Sequence, residues 1–265
     1  MKLKVCIAGA TGWVGKSLCA AIGGANDLSL VGAVSRSRQG QNLKDVVGDS
    51  NVDLTISGSV AEALDAPTDV LVDYTSAKAV KTNVLTAISR GVHVVIGSSG
   101  LTDEDFVEIN GAALERKVGV IAAGNFAITA VLLQRFACEA AKYLSQWEII
   151  DYASDTKADA PSGTTRELAF RLSEIRKPEV TRPIEETVGP KESRGTTLNG
   201  TQIHSLRLPG YVIGVDVIFG ASDERLTIRH DAGSGATPYV QGTLLAIRKV
   251  KNHIGLVRGL DRIME

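Results

Sequence analysis

Residues 5–18, VCIAGATGWVGKSL, decide how the rest of the chain is read. An apolar β-rich run ends at Ala8, a helical segment follows Gly15, and Gly9, Gly12 and Gly15 stand between them. Small residues at a strand-to-helix turn let backbone approach a pyrophosphate, and the start of the helix supplies oriented N–H groups. The spacing is G-x-x-G-x-x-G, with Ala10 and Thr11 between the first two glycines, and so departs from the G-x-G-x-x-G form. A tight turn without a ligand is the competing reading, and the surrounding chain has to separate the two.

Working outward, the first 125 residues repeat one rhythm. LKVCIAG, LSLVGAV, DVLVDYT, VHVVIGSSG and VGVIAAG read as strands, and the segment carrying Val80, Val84 and Ile88 has helical spacing. Strands of nearly continuous Val, Ile, Leu and Ala suit a parallel sheet covered on both faces. The fold class is therefore α/β, with an N-terminal domain of the Rossmann dinucleotide-binding kind. In such a domain the end of the second strand meets the adenosine ribose. Ser35 stands there, twenty residues past Gly15, where an NAD-selective site would present an acid. Arg36 and Arg38 follow and suit a 2′-phosphate, so NADPH is preferred and NADH possible; the alternative is a pair of solvated loop arginines. The cofactor set expected from these turns is Gly9, Thr11, Gly12, Trp13, Val14, Ser35, Arg36 and Arg38, with Thr75, Gly97, Ser98, Ser99, Gly124, Asn125 and Phe126 at later strand ends.

The pattern changes after Asn125. A helix is expected over 128–143, then a strand WEIID, a helix over 166–175, a long polar loop over 176–200, and strands TQIHSLRL, YVIGVDVIFG and ERLTIRH in a mostly antiparallel sheet. A last helix begins near Pro238 and could pack on either domain.

Composition narrows the class. The chain has 265 residues, 44% of them hydrophobic, and a formal charge of -1, so no global basic field points to nucleic acid or an anionic membrane. No signal peptide or apolar span is read, which suits a cytoplasmic protein. Cys6, Cys19 and Cys138 are scattered among apolar neighbours, as buried reduced thiols would be, and no metal set is visible. Tyr74 and Lys78 form a Y-x-x-x-K pair, which is discounted because Tyr74 abuts a strand end and Lys78 begins a separate helix.

Residues 157–168, KADAPSGTTREL, carry the second signal. Pro161 stops a strand, Ser162 and Gly163 open a turn, and Thr164 or Thr165 caps the next helix. N–H groups converging beside Thr164, with Lys157 nearby, could hold a carboxylate; an ordinary capped helix is at least as good a reading of the loop alone.

Taken together, these motifs resemble the dihydrodipicolinate reductases over nearly the whole chain. VIGSSG resembles V-I-G-T-T-G, AAGNFAI resembles A-x-N-F-S, KADAPSGT matches K-x-D-A-P-S-G-T, and ERLTIRHDAGS resembles the late E-R-L-x-x-x-H-x-A-x-S strand. The resemblance implies a dinucleotide-binding domain over 1–126 and 238–265 and an α+β substrate-binding and tetramerisation domain over 127–237 on a mixed or antiparallel sheet. It implies a homotetramer acting on a small molecule, the NAD(P)H-dependent reduction of a cyclic imine dicarboxylate in lysine synthesis. It also implies substrate-carboxylate binding by Ser162, Gly163 and Thr164, with Lys157 beside them and Asn125 and Phe126 near the nicotinamide.

One departure stands out. The family commonly reads E-x-H-H-x-x-K before D-A-P-S-G-T, its first histidine being the presumed general acid, whereas this chain reads DYASDTK and has Ala153 and Ser154 at the histidine pair. Three explanations stay open: Lys157 or a held water is the acid, the imine is a related one, or turnover is weak or absent. Lys157 is the expected donor, ahead of Asp151, Tyr152 and Asp155; His93, His204, His230 and His253 are read as structural.

Overall fold

A strand buried on both faces must be followed by a helix that crosses back over the sheet, and this alternation builds the first part of the protein. The computed structural model describes residues 1–48 and 52–264. In chain order it runs β1 (Leu3–Ala8), α1 (Trp13–Gly23), β2 (Leu28–Val34), the short α2 (Leu43–Val47) and α3 (Val60–Ala63), β3 (Val70–Asp73), α4 (Val80–Ser89), β4 (His93–Ile96), α5 (Asp103–Arg116) and β5 (Gly119–Ala122). Next come α6 (Ile128–Ala140), β6 (Gln146–Ala153), α7 (Gly163–Ile175), β7 (Thr196–Leu198), β8 (Thr201–Arg207), β9 (Ile213–Ala221) and β10 (Glu224–Ala232). The chain ends with α8 (Thr237–Lys249) and β11 (Gly255–Arg258). Two compact units result, Met1–Ile128 with Ala236–Glu265, and Thr129–Gly235.

The first unit holds a six-stranded sheet in the order β11-β5-β4-β3-β1-β2, every neighbouring pair parallel. The five apolar runs of the sequence are β1 to β5. Cys6, Ala8, Leu71, Val94 and Val120 pack under Val80, Val84 and Ile88 of α4 and Ile109 and Ala113 of α5. α1 and α8 contact each other, with Leu18, Ile22, Leu244 and Ile247 buried. Each such aliphatic side chain contributes about 1.5–3 kcal/mol by leaving water. Because β1 lies between β2 and β3, the winding reverses there, and open α/β sheets collect ligands outside the strand ends at that reversal. Those ends are Ala8 and Asp73, directly before Gly9 and Tyr74.

α8 belongs to this unit and delivers β11 to the sheet edge beside β5. Helical periodicity left the packing of α8 open while the family resemblance assigned 238–265 to the dinucleotide-binding domain; neither indicated β11.

The second unit holds a five-stranded sheet, β10-β9-β6-β8-β7. β6 and β8 run parallel and every other pair is antiparallel. Trp147, Ile149, Ile203, Val215, Val217 and Phe219 form one apolar face, covered by Leu133 and Ala137 of α6 and Leu168, Ala169 and Leu172 of α7. Three expectations change here. α6 stops at Ala140 instead of running to 143, and α7 starts at Gly163, not at 166. The polar stretch over 176–200 is not all loop, for it ends in β7, which turns tightly into β8 at Asn199 (φ 51°) and Gly200 (φ 87°).

The cysteines also separate. Cys6 and Cys19 are buried, and burial pushes both thiols up to about 12. Cys138 is only half-buried, against the edge of the second core, so the expectation of three buried thiols is corrected for this one.

Candidate active site

The glycine turn is shaped first by backbone packing. Gly9 has φ 85°, and a Cβ on it would run into the Tyr74 carbonyl; a Cβ on Gly15 would run into the Gly9 carbonyl. Any other residue at these two positions would push β1, β3 and α1 apart. Gly12 is exposed, donates its N–H to the Gly9 carbonyl at 2.9 Å, and precedes α1 in extended conformation with no side-chain capping bond. No acidic side chain sits in the first turn, so the N–H groups at Trp13 and Val14 face no competing carboxylate from their own helix. Such an uncapped helix start behind a glycine cradle fits a dinucleotide's pyrophosphate.

Beside it, Thr11 Oγ1 lies 2.8 Å from Ser35 Oγ, joining the glycine turn to the end of β2. Arg36 and Arg38 follow on a single exposed 3₁₀ turn, Arg36–Arg38. Arg38 borders a hollow shared with Thr11, Lys16, Ser37, Gln41 and Asp45, whereas Arg36 is not among its lining. Lys16 escaped the sequence reading because a lone lysine one residue past a glycine carries no signal of direction. Two cations and two hydroxyls against one carboxylate, Asp45, around the hollow suit a phosphate monoester.

The strand-end residues are held by a buried carboxylate. Asp73 Oδ1 accepts from Thr75 N–H at 3.0 Å, Thr75 Oγ1 at 2.7 Å and Ser98 Oγ at 2.5 Å, and its Oδ2 accepts from Asn83 Nδ2 at 2.8 Å. Thr75 and Ser98 therefore spend their hydroxyls on Asp73. Gly97 makes room for the Tyr74 ring, which a Cβ there would strike. Ser99 and Gly124 are exposed. Asn125 Oδ1 accepts the Ala127 N–H at 2.8 Å, and Phe126 is a core residue, its ring 6.1 Å from that of Tyr74. Tyr74 is half-buried, desolvation raises its pKa, and its phenol meets Thr243; a proton-donating role with Lys78 does not fit that setting.

In the second unit, the loop before α7 is capped differently from expectation. Ser162, not Thr164 or Thr165, precedes the helix with extended backbone, and its Oγ accepts the Thr165 N–H at 3.4 Å. Gly163 and Thr164 thereby become the first two helical residues, exposed and half-exposed, where N–H groups point out of the helix. Beneath them lies Asp151, fully buried. It accepts from Ser162 N–H and Thr165 Oγ1, each at 2.9 Å, and pairs with Arg207 at 2.7 Å. Burial pushes its pKa up, but the bonds from Ser162, Arg207 and Thr165 outweigh it and hold the carboxyl below the ordinary range. Asp151 is thus a fixed anion and not a proton donor.

Lys157 Nζ is 2.6 Å from Asp159 Oδ1, and that bond holds Asp159 below its usual range. Ala153 is fully buried, Ser154 Oγ bonds to Asp155 and Thr156, and Tyr152 donates to Asp216 at 2.9 Å. Three of the four histidines bond neighbouring groups. His93 Nδ1 accepts the Gly119 N–H at 2.9 Å, His204 meets Glu148 at 2.7 Å, and His230 lies 3.2 Å from Thr129 Oγ1. Among the described residues no cluster of His, Cys, Asp and Glu could hold a metal ion, and no helix is long and apolar enough to cross a membrane.

Known proteins are similar to this chain in sequence and in fold. Residues 3–126 match the family model for the N-terminus of dihydrodipicolinate reductase and residues 129–264 that for its C-terminus. The 4-hydroxy-tetrahydrodipicolinate reductase of Desulfitobacterium hafniense is 40% identical over 266 residues, covering 100% of this chain and 99% of its own. That of Syntrophomonas wolfei is 38% identical, covering 99% of both. Among solved structures, the dipicolinate-bound dihydrodipicolinate reductase of Paenisporosarcina sp. TG-14 superposes with a TM-score of 0.87 at 29% identity over 100% of each chain. With a pyridine-nucleotide fold in its first unit and both family segments matched end to end, the chain belongs to the dihydrodipicolinate reductase family.

Proposed function

We propose that this protein reduces 4-hydroxy-tetrahydrodipicolinate (dihydrodipicolinate) to tetrahydrodipicolinate in lysine and diaminopimelate synthesis, with NADPH preferred over NADH. The observation that carries the reading is the first turn of α7. There Ser162 Oγ is spent on Thr165, and Gly163 and Thr164 start the helix on the surface of the second unit, a geometry that suits a substrate carboxylate. NADPH, when bound, supplies a hydride.

This chain's own residues do the rest. Gly9, Gly12, Trp13 and Val14 receive the pyrophosphate on backbone, Thr11 and Ser35 hold the ribose side, and Arg36, Arg38 and Lys16 favour the 2′-phosphate. Thr75, Gly97, Ser98, Ser99, Gly124, Asn125 and Phe126 shape the nicotinamide side, Thr75 and Ser98 through their bonds to Asp73. Gly163 and Thr164 receive the substrate carboxylate on the first turn of α7; Ser162, expected to bind it too, is buried with its N–H on Asp151 and its hydroxyl on Thr165, and so anchors the turn instead. Lys157 adds a charge and carries the proton that completes the reduction, Asp159 holding its ammonium in the loop. The uncovered face of the second sheet, with half-buried Ile150 and Ile218 opposite the helix-covered side, supports a homotetramer built through these sheets. The cytoplasm suits such an enzyme.

Ala153 favours a second reading. Its methyl group, fully buried, offers no proton where the family commonly has histidine, which suits a related imine or a nucleotide-binding protein without turnover. One assay separates these. Loss of NADPH absorbance on mixing with freshly generated dihydrodipicolinate supports the reductase; NADPH binding without oxidation defeats it.

A further inference from the structure

Asp151 is the most heavily bonded carboxylate around the substrate loop, yet nothing in the chemistry above uses it. It sits near the end of β6 and takes four donors: the Ser162 N–H, Thr165 Oγ1, Ser205 Oγ at 3.2 Å and Arg207 Nη2 at 2.7 Å. The same Arg207 Nη2 reaches the Asp159 carbonyl at 2.6 Å, on the other side of Pro161. One ion pair between β6 and β8 therefore clamps the loop at Asp159, Ser162 and Thr165, the residues that bracket the proposed carboxylate site. The pair is well shielded, the side chains being 0% and 16% exposed.

Its charge matters as much as its grip. Asp151 lies under the same helix start that is to receive the substrate, and two anions at one helix terminus repel. In a shielded setting that repulsion is felt strongly, unless a cation in contact cancels one of them. Arg207 is that cation. The other charged groups close by are Arg166, whose guanidinium bonds the Pro161 carbonyl, and the Lys157–Asp159 pair; β9 places the neutral Val215 opposite Asp151.

Resting on the carboxylate site proposed above, we propose that Asp151 and Arg207 are positioning residues for substrate capture: the pair sets the Ser162, Gly163 and Thr164 turn, and the guanidinium cancels the Asp151 charge so that a second carboxylate can dock. Both belong to the second unit, whereas the glycine turn belongs to the first. Their loss is therefore read in dicarboxylate affinity and not in cofactor affinity.

The test titrates dipicolinate, a planar dicarboxylate, into the NADPH-bound protein, for the unaltered chain and for Arg207→Gln, Arg207→Lys and Asp151→Asn. The expected result is dipicolinate binding weakened by about tenfold or more in Arg207→Gln, partly recovered in Arg207→Lys, and weakened far less in Asp151→Asn, which gives up the grip but also the opposing charge, with the NADPH Kd unchanged. In Arg207→Gln the dipicolinate Kd is also expected to rise with pH, as a carboxyl raised by burial and stripped of its cation ionises; the unaltered protein shows no such rise. Dipicolinate affinity within twofold of the unaltered chain in a folded Arg207→Gln overturns the proposal, as does an equal loss of NADPH affinity. If Arg207→Gln does not fold, Arg207→Lys, which keeps a cation but not the planar two-bond reach to Asp151 and Asp159, decides by the same criteria. Failure of the unaltered protein to bind dipicolinate sinks the carboxylate site itself, an outcome distinct from variants that bind normally.

Discussion

The phenol of Tyr74 and the hydroxyl of Thr243 meet at 2.8 Å across 169 positions of sequence. Thr243 Oγ1 donates in turn to the Tyr239 carbonyl at 2.8 Å, so the Tyr74 hydroxyl is the donor in the pair and α8 is tied to the end of β3. Replacing Thr243 with valine strands a half-buried phenol and is expected to cost about 1 kcal/mol, whereas Tyr74→Phe combined with Thr243→Val costs less than the two single changes added. Denaturant unfolding of the four proteins checks this. Tyr74→Phe also keeps its NADPH oxidation; a loss beyond tenfold would revive the Y-x-x-x-K reading.

The hollow beside β2 gives a cofactor prediction. Arg38→Ala and Lys16→Ala are each expected to weaken NADPH by about tenfold, close to 1.4 kcal/mol, and to leave NADH almost unchanged, because only NADPH brings a phosphate there. Arg36→Ala has the smaller effect, since Arg36 does not line the hollow. Fluorescence titration with both nucleotides measures all three, and equal losses for NADH and NADPH would contradict the assignment.

Acid sensitivity should follow His93. Burial holds its pKa below the ordinary value, and its Nδ1 must stay unprotonated to accept the Gly119 N–H. The unfolded chain binds that proton first, so the contribution is complete above the unfolded pKa of about 6.5 and is lost as pH falls from there through the lower folded value. Melting temperature is expected to drop over that window, and His93→Asn to flatten the drop while lowering stability at neutral pH. An unchanged slope would mean that other groups set it.

Lys157→Ala is expected to cut turnover by about 10²- to 10⁴-fold, the usual range for a general acid. Lys157→Arg keeps the charge but gives up the proton less readily, and so should preserve substrate binding better than rate. Steady-state kinetics of the two variants separates charge from proton delivery; full activity in Lys157→Ala would rule the residue out as the acid.

Much of this was legible because the decisive residues are local. Gly9 and Gly15 answer to a turn that any strand-to-helix junction imposes, and the strands β1 to β5 declare themselves as unbroken aliphatic runs. β11 did not, since Gly-Leu-Val-Arg gains strand character only from β5 beside it. β7 was hidden for another reason: Asn199 and Gly200 signal a two-residue turn, but Thr196–Leu198 is too short to show alternation. The capping role of Ser162 depends on Asp151 holding Thr165, and the need for glycine at 97 depends on the ring of Tyr74; neither partner is visible from spacing. The clustering of Lys16 with Arg38 likewise exists only after folding.

The order of the strands has a further bearing on biogenesis. The second unit is one unbroken stretch of chain, so a ribosome has released all of it before α8 and β11 emerge. The nucleotide-binding sheet, started first, is finished last: nascent protein halted before residue 255 still lacks the edge strand beside β5, and a nonsense codon there leaves a row of unpaired amides and carbonyls along that edge, open to aggregation.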